Sequence, residues 1–271
     1  MTLTLTEYIK RAYEFRGIVT AYVYGDMGTG KTSYALHVAR EVYGSWEEAL
    51  NHLLFDPLPA LRLLEKALEE DRRIPLIILD DAGFWLSKLE WWKEETVAFM
   101  QFYNLARTVV AGIIFTTPQD DLPSALRKKV SFRISVRPLS WEEVPRHFAE
   151  KALEKREEYE RQGINWKLWC MAVGYRLRTL PSFMQRVKKK YIDIYPMHYP
   201  KSILEKYEEK RKKAVRKGLE RLKELLEKTR KEDKSQKKRD TRMIIQALLA
   251  EGKTPKEVSE TTGIPLSTVY Y

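Results

Sequence analysis

Three stretches of the chain are apolar with almost no polar break: IVTAYVY at 18–24, IPLIILD at 74–80 and VVAGIIFT at 109–116. A short run of β-branched and aromatic residues bounded by polar or glycine positions predicts a strand buried on both faces. SFRISV at 131–136 predicts a further strand, and 53–55 a short one. Helical spacing fills the intervals. Residues 6–16 form a helical pattern stopped by Gly17, and YALHVAREVYG repeats its apolar positions at helix period before Gly44. Strands alternating with helices predict an α/β fold, a mostly parallel central sheet flanked by helices on both faces. Past Pro138 the character changes. The charged stretch 141–163 reads as helical, and 168–178 with 185–194 suit an antiparallel hairpin. A long exposed helix is expected over 201–234, with Leu204, Tyr207, Val215, Leu219, Leu222 and Leu226 on one stripe. Gly218 and the gap around Arg211 interrupt that seam, so packing along the main domain is expected rather than a coiled coil. KEDKSQKKRD at 231–240 reads as a linker, and 241–271 as a separate small helical unit. The expected organisation is 1–200 (core 6–138, accessory helix and hairpin 139–200), then 201–240, then 241–271.

Composition narrows the partners. With 271 residues, 44% of them apolar and 32% charged, the chain can bury a substantial core. Its longest apolar runs fall far short of the roughly 18 residues a membrane span needs. The N-terminus has no export pattern, which predicts a cytoplasmic protein. Cys170 is the single cysteine, so neither an internal disulfide nor a thiolate zinc site is expected. The net charge of +11 is unevenly spread: residues 201–240 hold 17 Lys and Arg against 9 Asp and Glu. Such a basic segment suits a polyanion such as nucleic acid, or serves as a solvated helix face.

The chemistry sits at the strand ends. Gly25, Asp26, Met27, Gly28, Thr29, Gly30, Lys31 and Thr32 match G-x-x-x-x-G-K-[ST], a Walker A motif, between a predicted strand and a predicted helix. Glycines let the loop close around an anion with its amides inward, helped by the helix N-terminus, where Ser33 adds a further donor. Lys31 is expected to reach the β- and γ-phosphates and Thr32 to ligate magnesium. LIILDD at 76–81 is a Walker B pattern. It predicts Asp80 as the metal carboxylate and Asp81 as the residue that orients or activates water, provided the two strands lie near each other. At the end of the third strand, Thr117 is the first choice for a γ-phosphate sensor and Thr116 the second. Arg127, and after it Arg107, are candidates to reach a neighbouring subunit's nucleotide in a ring or filament.

Together these motifs, with Asn104-Leu105-Ala106-Arg107 before the third strand and Leu122-Pro123-Ser124-Ala125-Leu126-Arg127 after it, resemble the AAA+ P-loop ATPases of the replication-initiator, helicase-loader and transposition-helper branch. The layout also resembles P-loop ATPases of archaeal viruses and plasmids. The resemblance covers 6–138 and implies Mg2+ with ATP, slow hydrolysis, homo-oligomerisation and action on DNA or on a helicase. Asp81 departs from the glutamate of most members and reaches less far, which argues against fast turnover. No all-helical lid is evident after Val136, and Arg176 and Arg178 are candidates for a second sensor. A DNA-translocating or genome-packaging motor, and a nucleotide-gated DNA-binding regulator with little hydrolysis, are the alternatives.

The last segment has its own logic. RMIIQALLAEG at 242–252 presents an apolar helix face. Thr254, Pro255 and Glu257 form a capping-box start for the next helix, which Gly263 ends. Ile244, Leu248, Val258, Ile264 and Val269 are the expected small core. The pattern resembles a resolvase-type helix-turn-helix, with Ser267, Thr268, Tyr270 and Tyr271 toward a DNA groove; a three-helix protein-interaction module is the other reading.

Overall fold

The computed structural model describes residues 2–82, 97, 103, 106–118, 124–179 and 185–270. It opens with helix α1 (Thr4–Glu14), whose Leu5, Ile9 and Ala12 face inward at helical spacing. Strand β1 (Val19–Tyr24) leads through a glycine loop into α2 (Lys31–Tyr43), which Gly44 ends at φ 77°. Then come α3 (Trp46–Asn51), β2 (Leu53–Leu54), α4 (Pro57–Glu69) and β3 (Ile77–Leu79). A 3-10 turn (Ala106–Thr108) precedes β4 (Gly112–Thr117), and the short α5 (Ser124–Arg127) precedes β5 (Phe132–Leu139). After α6 (Arg146–Glu154) and α7 (Arg156–Arg161), the strands β6 (Trp169–Thr179) and β7 (Gln185–Pro196) form a hairpin. The chain ends in α8 (Lys201–Ala250), α9 (Pro255–Thr262) and α10 (Leu266–Val269).

All seven strands join one sheet in the order β2-β3-β4-β1-β5-β6-β7. The first five are parallel; β6 runs antiparallel to β5, and β7 to β6. The predicted hairpin therefore extends the central sheet instead of standing apart. Alternation along the parallel strands divides the core. Ala21, Val23, Ile78 and Ile114 pack under α1 and α2, while Tyr22, Ile77, Leu79, Ile113 and Phe115 pack on the α4 side. Six consecutive buried residues in β4 explain why its sequence shows no alternation.

Several boundaries differ from expectation for physical reasons. In the third predicted strand β4 begins at Gly112, and the residues before it make only an isolated parallel bridge, Val110 with Ile74; at Gly112 the backbone runs tight against α1 and the segment before β3. A Cβ at Gly112 would lie 2.9 Å from Ile9 Cγ2 and 3.1 Å from Pro75 O. β5 continues through Pro138 to Leu139. β1 stops pairing with it at Ser135, so Pro138 sits where one side of the strand carries no ladder and a missing N–H costs little.

The chain divides into two compact units, Met1–Arg211 and Lys212–Tyr271. Residues 231–240, expected as a linker, are helical within the unbroken α8. The segment is rich in Lys, Glu, Gln and Arg, all good helix formers, and holds neither glycine nor proline. Within the second unit, Ile245, Val258 and Val269 form the core with Leu248 and Ile264 against them. Ile244, expected inside, is exposed, and its neighbour Ile245 is buried instead. Thr254 Oγ1 accepts from the Glu257 amide at 3.4 Å while the Glu257 carboxylate accepts from the Thr254 amide at 2.7 Å, completing the capping box. Among the described residues, no helix is long and apolar enough to cross a membrane.

Candidate functional site

The loop from Gly25 to Gly30 is built so that side chains are excluded where the backbone must turn. Gly25 has φ 152°, and a Cβ there would lie 2.4 Å from Val136 O. Gly30, the αL residue capping α2 at φ 92°, would drive a Cβ to 2.7 Å from Cys170 Sγ. No side chain caps α2, so its first-turn amides and positive dipole end face the loop. Thr29 Oγ1 donates to Asp26 O at 2.8 Å, and Lys31 Nζ donates to Gly25 O at 2.9 Å and Asp26 O at 2.6 Å. The loop is braced from behind by the hairpin: Cys170 Sγ donates to Thr29 O at 3.3 Å and Tyr195 OH to Gly30 O at 3.0 Å. Ser33 Oγ donates to Met197 O, whereas Met27 is exposed. Burial lowers the Lys31 ammonium pKa, although Asp81, Asp80 and Asp26 oppose the shift. Burial pushes the Cys170 thiol up to about 11.

The acids arrive from β3. Asp80 is completely buried and collects three hydroxyl donors: Thr32 Oγ1 at 3.0 Å, Tyr207 OH at 3.0 Å, and Thr116 Oγ1. Burial raises its pKa and the Asp81 charge adds to the rise, with the three hydroxyls pulling the other way. β1 and β3 are not neighbours, because β4 lies between them. At about 4.8 Å per strand the gap is roughly 10 Å. Thr32 at the head of α2 and Thr116 on the intervening strand bridge it. Asp81 has φ 50°, an αL turn that aspartate tolerates, and redirects the chain as the strand ends. Its amide donates to Thr116 Oγ1 at 3.1 Å, and its carboxylate accepts from Arg211 Nη2 at 3.1 Å in a half-exposed ion pair. Thr32 Oγ1 and the Asp80 carboxylate are hard oxygen donors on adjacent elements, a set that suits Mg2+ sharing its remaining positions with phosphate and water.

The other expected residues fall elsewhere. Thr116, the second choice, is the threonine on Asp80; Thr117, the first, is buried at the end of β4 beside Tyr24. Arg107 is exposed in the turn before β4, about 20 Å along the strands from the loop, and Arg127 is half-buried before β5. Arg176 and Arg178 do not reach the nucleotide loop. β6 runs antiparallel, so Val173 is level with Ser135 and Tyr24 beside the loop, while Arg176 is level with Phe132 and Ala21 and Arg178 lies further still. Ser267 and Thr268 are exposed on the single turn of α10, and Tyr270 is exposed at its C-cap. Residues 104, 105, 119, 121–123 and Tyr271, and the side chains of Ser124 and Ala125, lie outside the described residues. Tyr207 and Arg211 were not expected at the site. Their i, i+4 spacing puts them on one helix face, and the gap in the apolar stripe at Arg211 marks where α8 meets carboxylates.

No protein-family model matches the chain. It is 34% identical over 228 residues, 81% of this chain and 84% of its relative, to the uncharacterized protein B-251 of Sulfolobus spindle-shape virus 1. It is 38% identical over 102 residues, 36% of each chain, to the uncharacterized protein ORF286 of Acidianus two-tailed virus. Among solved structures it is similar to the genome packaging NTPase B204 from Sulfolobus turreted icosahedral virus 2 in complex with ATP-gammaS, at 13% identity and TM-score 0.35 over 65% of this chain and 98% of that one.

Proposed function

The chain belongs to the family of protein B-251 of Sulfolobus spindle-shape virus 1, and we propose that it is a P-loop ATPase that binds Mg-ATP on the Gly25–Thr32 loop, hydrolyses it and associates with DNA. The observation that carries this reading is the contact of Thr32 with Asp80 at 3.0 Å across an intervening strand. A hydroxyl and a carboxylate, 48 residues apart in sequence and of the kinds that hold magnesium in a P-loop, meet beside a loop whose amides can wrap a polyphosphate. Bound Mg2+ would supply positive charge that offsets the charge developing on the phosphate oxygens. Thr32 and Asp80 would hold it. Lys31 would exchange the carbonyls of Gly25 and Asp26 for phosphate oxygens, moving a cation toward the reacting centre without leaving the loop. Asp81 would orient the attacking water, while Thr116 fixes the rotamer of Asp80 and the turn of Asp81 through one hydroxyl. Arg127 is the candidate to act on a neighbouring copy's nucleotide. Ser267, Thr268 and Tyr270 are the candidates for DNA contact in the C-terminal unit, read as a helix-turn-helix.

A second reading, a nucleotide-gated DNA-binding regulator with little hydrolysis, draws on the Arg211–Asp81 ion pair, which occupies the carboxylate needed to activate water. ATP turnover measured with and without DNA separates the two: stimulation favours the ATPase, and a rate that stays at a low basal value favours the switch. Lys31→Ala should abolish ATP binding measured by titration of a fluorescent analogue. Undiminished affinity in that variant sinks the site assignment.

A further inference from the structure

The hairpin outruns the rest of the sheet. β5 begins pairing with β6 at Phe132, opposite Arg176, and the Leu177 amide still donates to Ser131 O at 3.1 Å. Beyond that point β6 and β7 continue as a two-stranded ribbon, with Arg178 opposite Arg186 and Thr179 opposite Gln185. Between Leu168 and Ile192 the sequence holds six cations, Arg176, Arg178, Arg186, Lys188, Lys189 and Lys190, and no acid. Two cross-strand pairs, one either side of the Leu177–Val187 pair, are cation against cation: Arg176 with Lys188 and Arg178 with Arg186. Directly paired residues share a face, so these four side chains project to one side of the ribbon. None of the six forms an ion pair among the described residues.

Like charges placed directly opposite destabilise a sheet, so this face carries a cost that folding alone does not explain. Protection of a sheet edge by lysines accounts for β7. It does not account for Arg176, which lies on the inner strand opposite Phe132, or for setting Arg178 directly against Arg186. The ribbon is also well anchored. Gly174 has no room for a Cβ, which would lie 2.2 Å from the Tyr191 ring, and that ring packs on Phe132 at 5.7 Å between centroids. The β-bulge between Gly174 and Tyr175 fixes the register immediately before the cationic segment.

We propose that the Arg176, Arg178, Arg186 and Lys188 face of the β6–β7 ribbon is a docking surface for the phosphate backbone of duplex DNA. Residues two apart on one strand are about 7 Å apart, close to the axial rise of two phosphates on one DNA strand. A two-stranded ribbon has the width a major groove admits. The surface lies at the end of the sheet opposite the glycine loop, so a nucleotide and a DNA duplex would not compete for the same cations. The inference rests on the DNA association proposed above, and assigns a contact to the Met1–Arg211 unit that is independent of Ser267, Thr268 and Tyr270.

The test is fluorescence anisotropy of a labelled mixed-sequence duplex with the full chain, titrated across salt. The variant Arg178→Glu with Lys188→Glu turns both cation pairs into opposite-charge pairs, so its thermal midpoint should rise or hold. Its duplex affinity should fall on the order of a hundredfold or more at about 0.1 M salt, and the slope of log affinity against log salt should flatten by about 2 or more, near 0.9 per lost phosphate contact. The neutral variant with threonine at 176, 178, 186 and 188 should flatten the slope by about 3 to 4. A raised midpoint with unchanged affinity and slope overturns the proposal and leaves only edge protection. Tighter binding of the unmodified chain to duplex RNA than to duplex DNA overturns it as well. If the unmodified chain binds no duplex, DNA association itself fails along with this surface; if it binds and the variants bind equally well, only this surface falls.

Discussion

Gly30→Ala tests whether the nucleotide loop is held by the hairpin behind it. The substitution has two separable costs. An alanine at φ 92° occupies left-handed space at about 1–2 kcal/mol. Its Cβ would also stand 2.7 Å from Cys170 Sγ and 3.5 Å from Tyr195 OH, an overpacking that costs about 1–3 kcal/mol in a core with no slack. The expected loss is therefore about 2–5 kcal/mol. Cys170→Ala removes the sulfur the new methyl would strike and a weak bond to Thr29 O, for about 1 kcal/mol on its own. The double variant should keep the conformational cost and shed the steric one, so a double-mutant cycle in urea should return a favourable coupling of about 1–3 kcal/mol. With a domain of this size, each kcal/mol moves the thermal midpoint by roughly 2–4 °C. ATP affinity measured in the same four proteins should follow the steric part, because a displaced Gly30 carries the first amides of α2 away from the phosphates. A coupling of zero would mean that Cys170 does not support the loop, and the bracing argument would fall.

What the sequence reveals and what it hides follow from the range of each contact. The glycine loop, Lys31 and Thr32 are legible because their spacing is local, and Asp80 because a carboxylate after a buried strand points to the same sheet end. The strand between β1 and β3 is not legible, since strand order depends on crossovers that leave no periodic trace. Tyr207, Arg211, Cys170 and Tyr195 meet the site from more than 120 residues away. In sequence they look like members of a helix stripe and a strand. Residues 231–240 mislead in the opposite way: charged composition signals exposure, and exposure is compatible with helix. At Ile244 and Ile245 two adjacent isoleucines leave the helix phase ambiguous, and one step of 100° decides which is buried.

Further outcomes follow from individual groups. Tyr207→Phe deletes a hydroxyl that donates to the buried Asp80 carboxylate at 3.0 Å. It should lower stability by about 1.5–3 kcal/mol, as for a bond to a charged group, seen as a lower urea midpoint at unchanged slope; an unmoved midpoint would count against that bond. His37 lies 3.2 Å from His198 O, packs edge-on against Trp46, and is held by burial at a pKa of about 4. Its folded pKa is below the unfolded value of about 6.5. Stability is therefore fully present above about pH 6.5 and is lost as pH falls toward 4, by about 2–3 kcal/mol for a half-buried ring. His37→Gln should flatten that part of the stability profile, and an unchanged profile would assign the loss to other groups.

Cys170 is the chain's only cysteine, it is buried against the loop, and its thiol is held far from the reactive thiolate by a pKa of about 11. Alkylation therefore has to wait for β6 to part from the glycine turn. The chain thus carries a built-in clock, unambiguous because no second sulfhydryl competes for the reagent, whose ticking rate reports how often the seat of the phosphates comes apart and how far an occupant slows it.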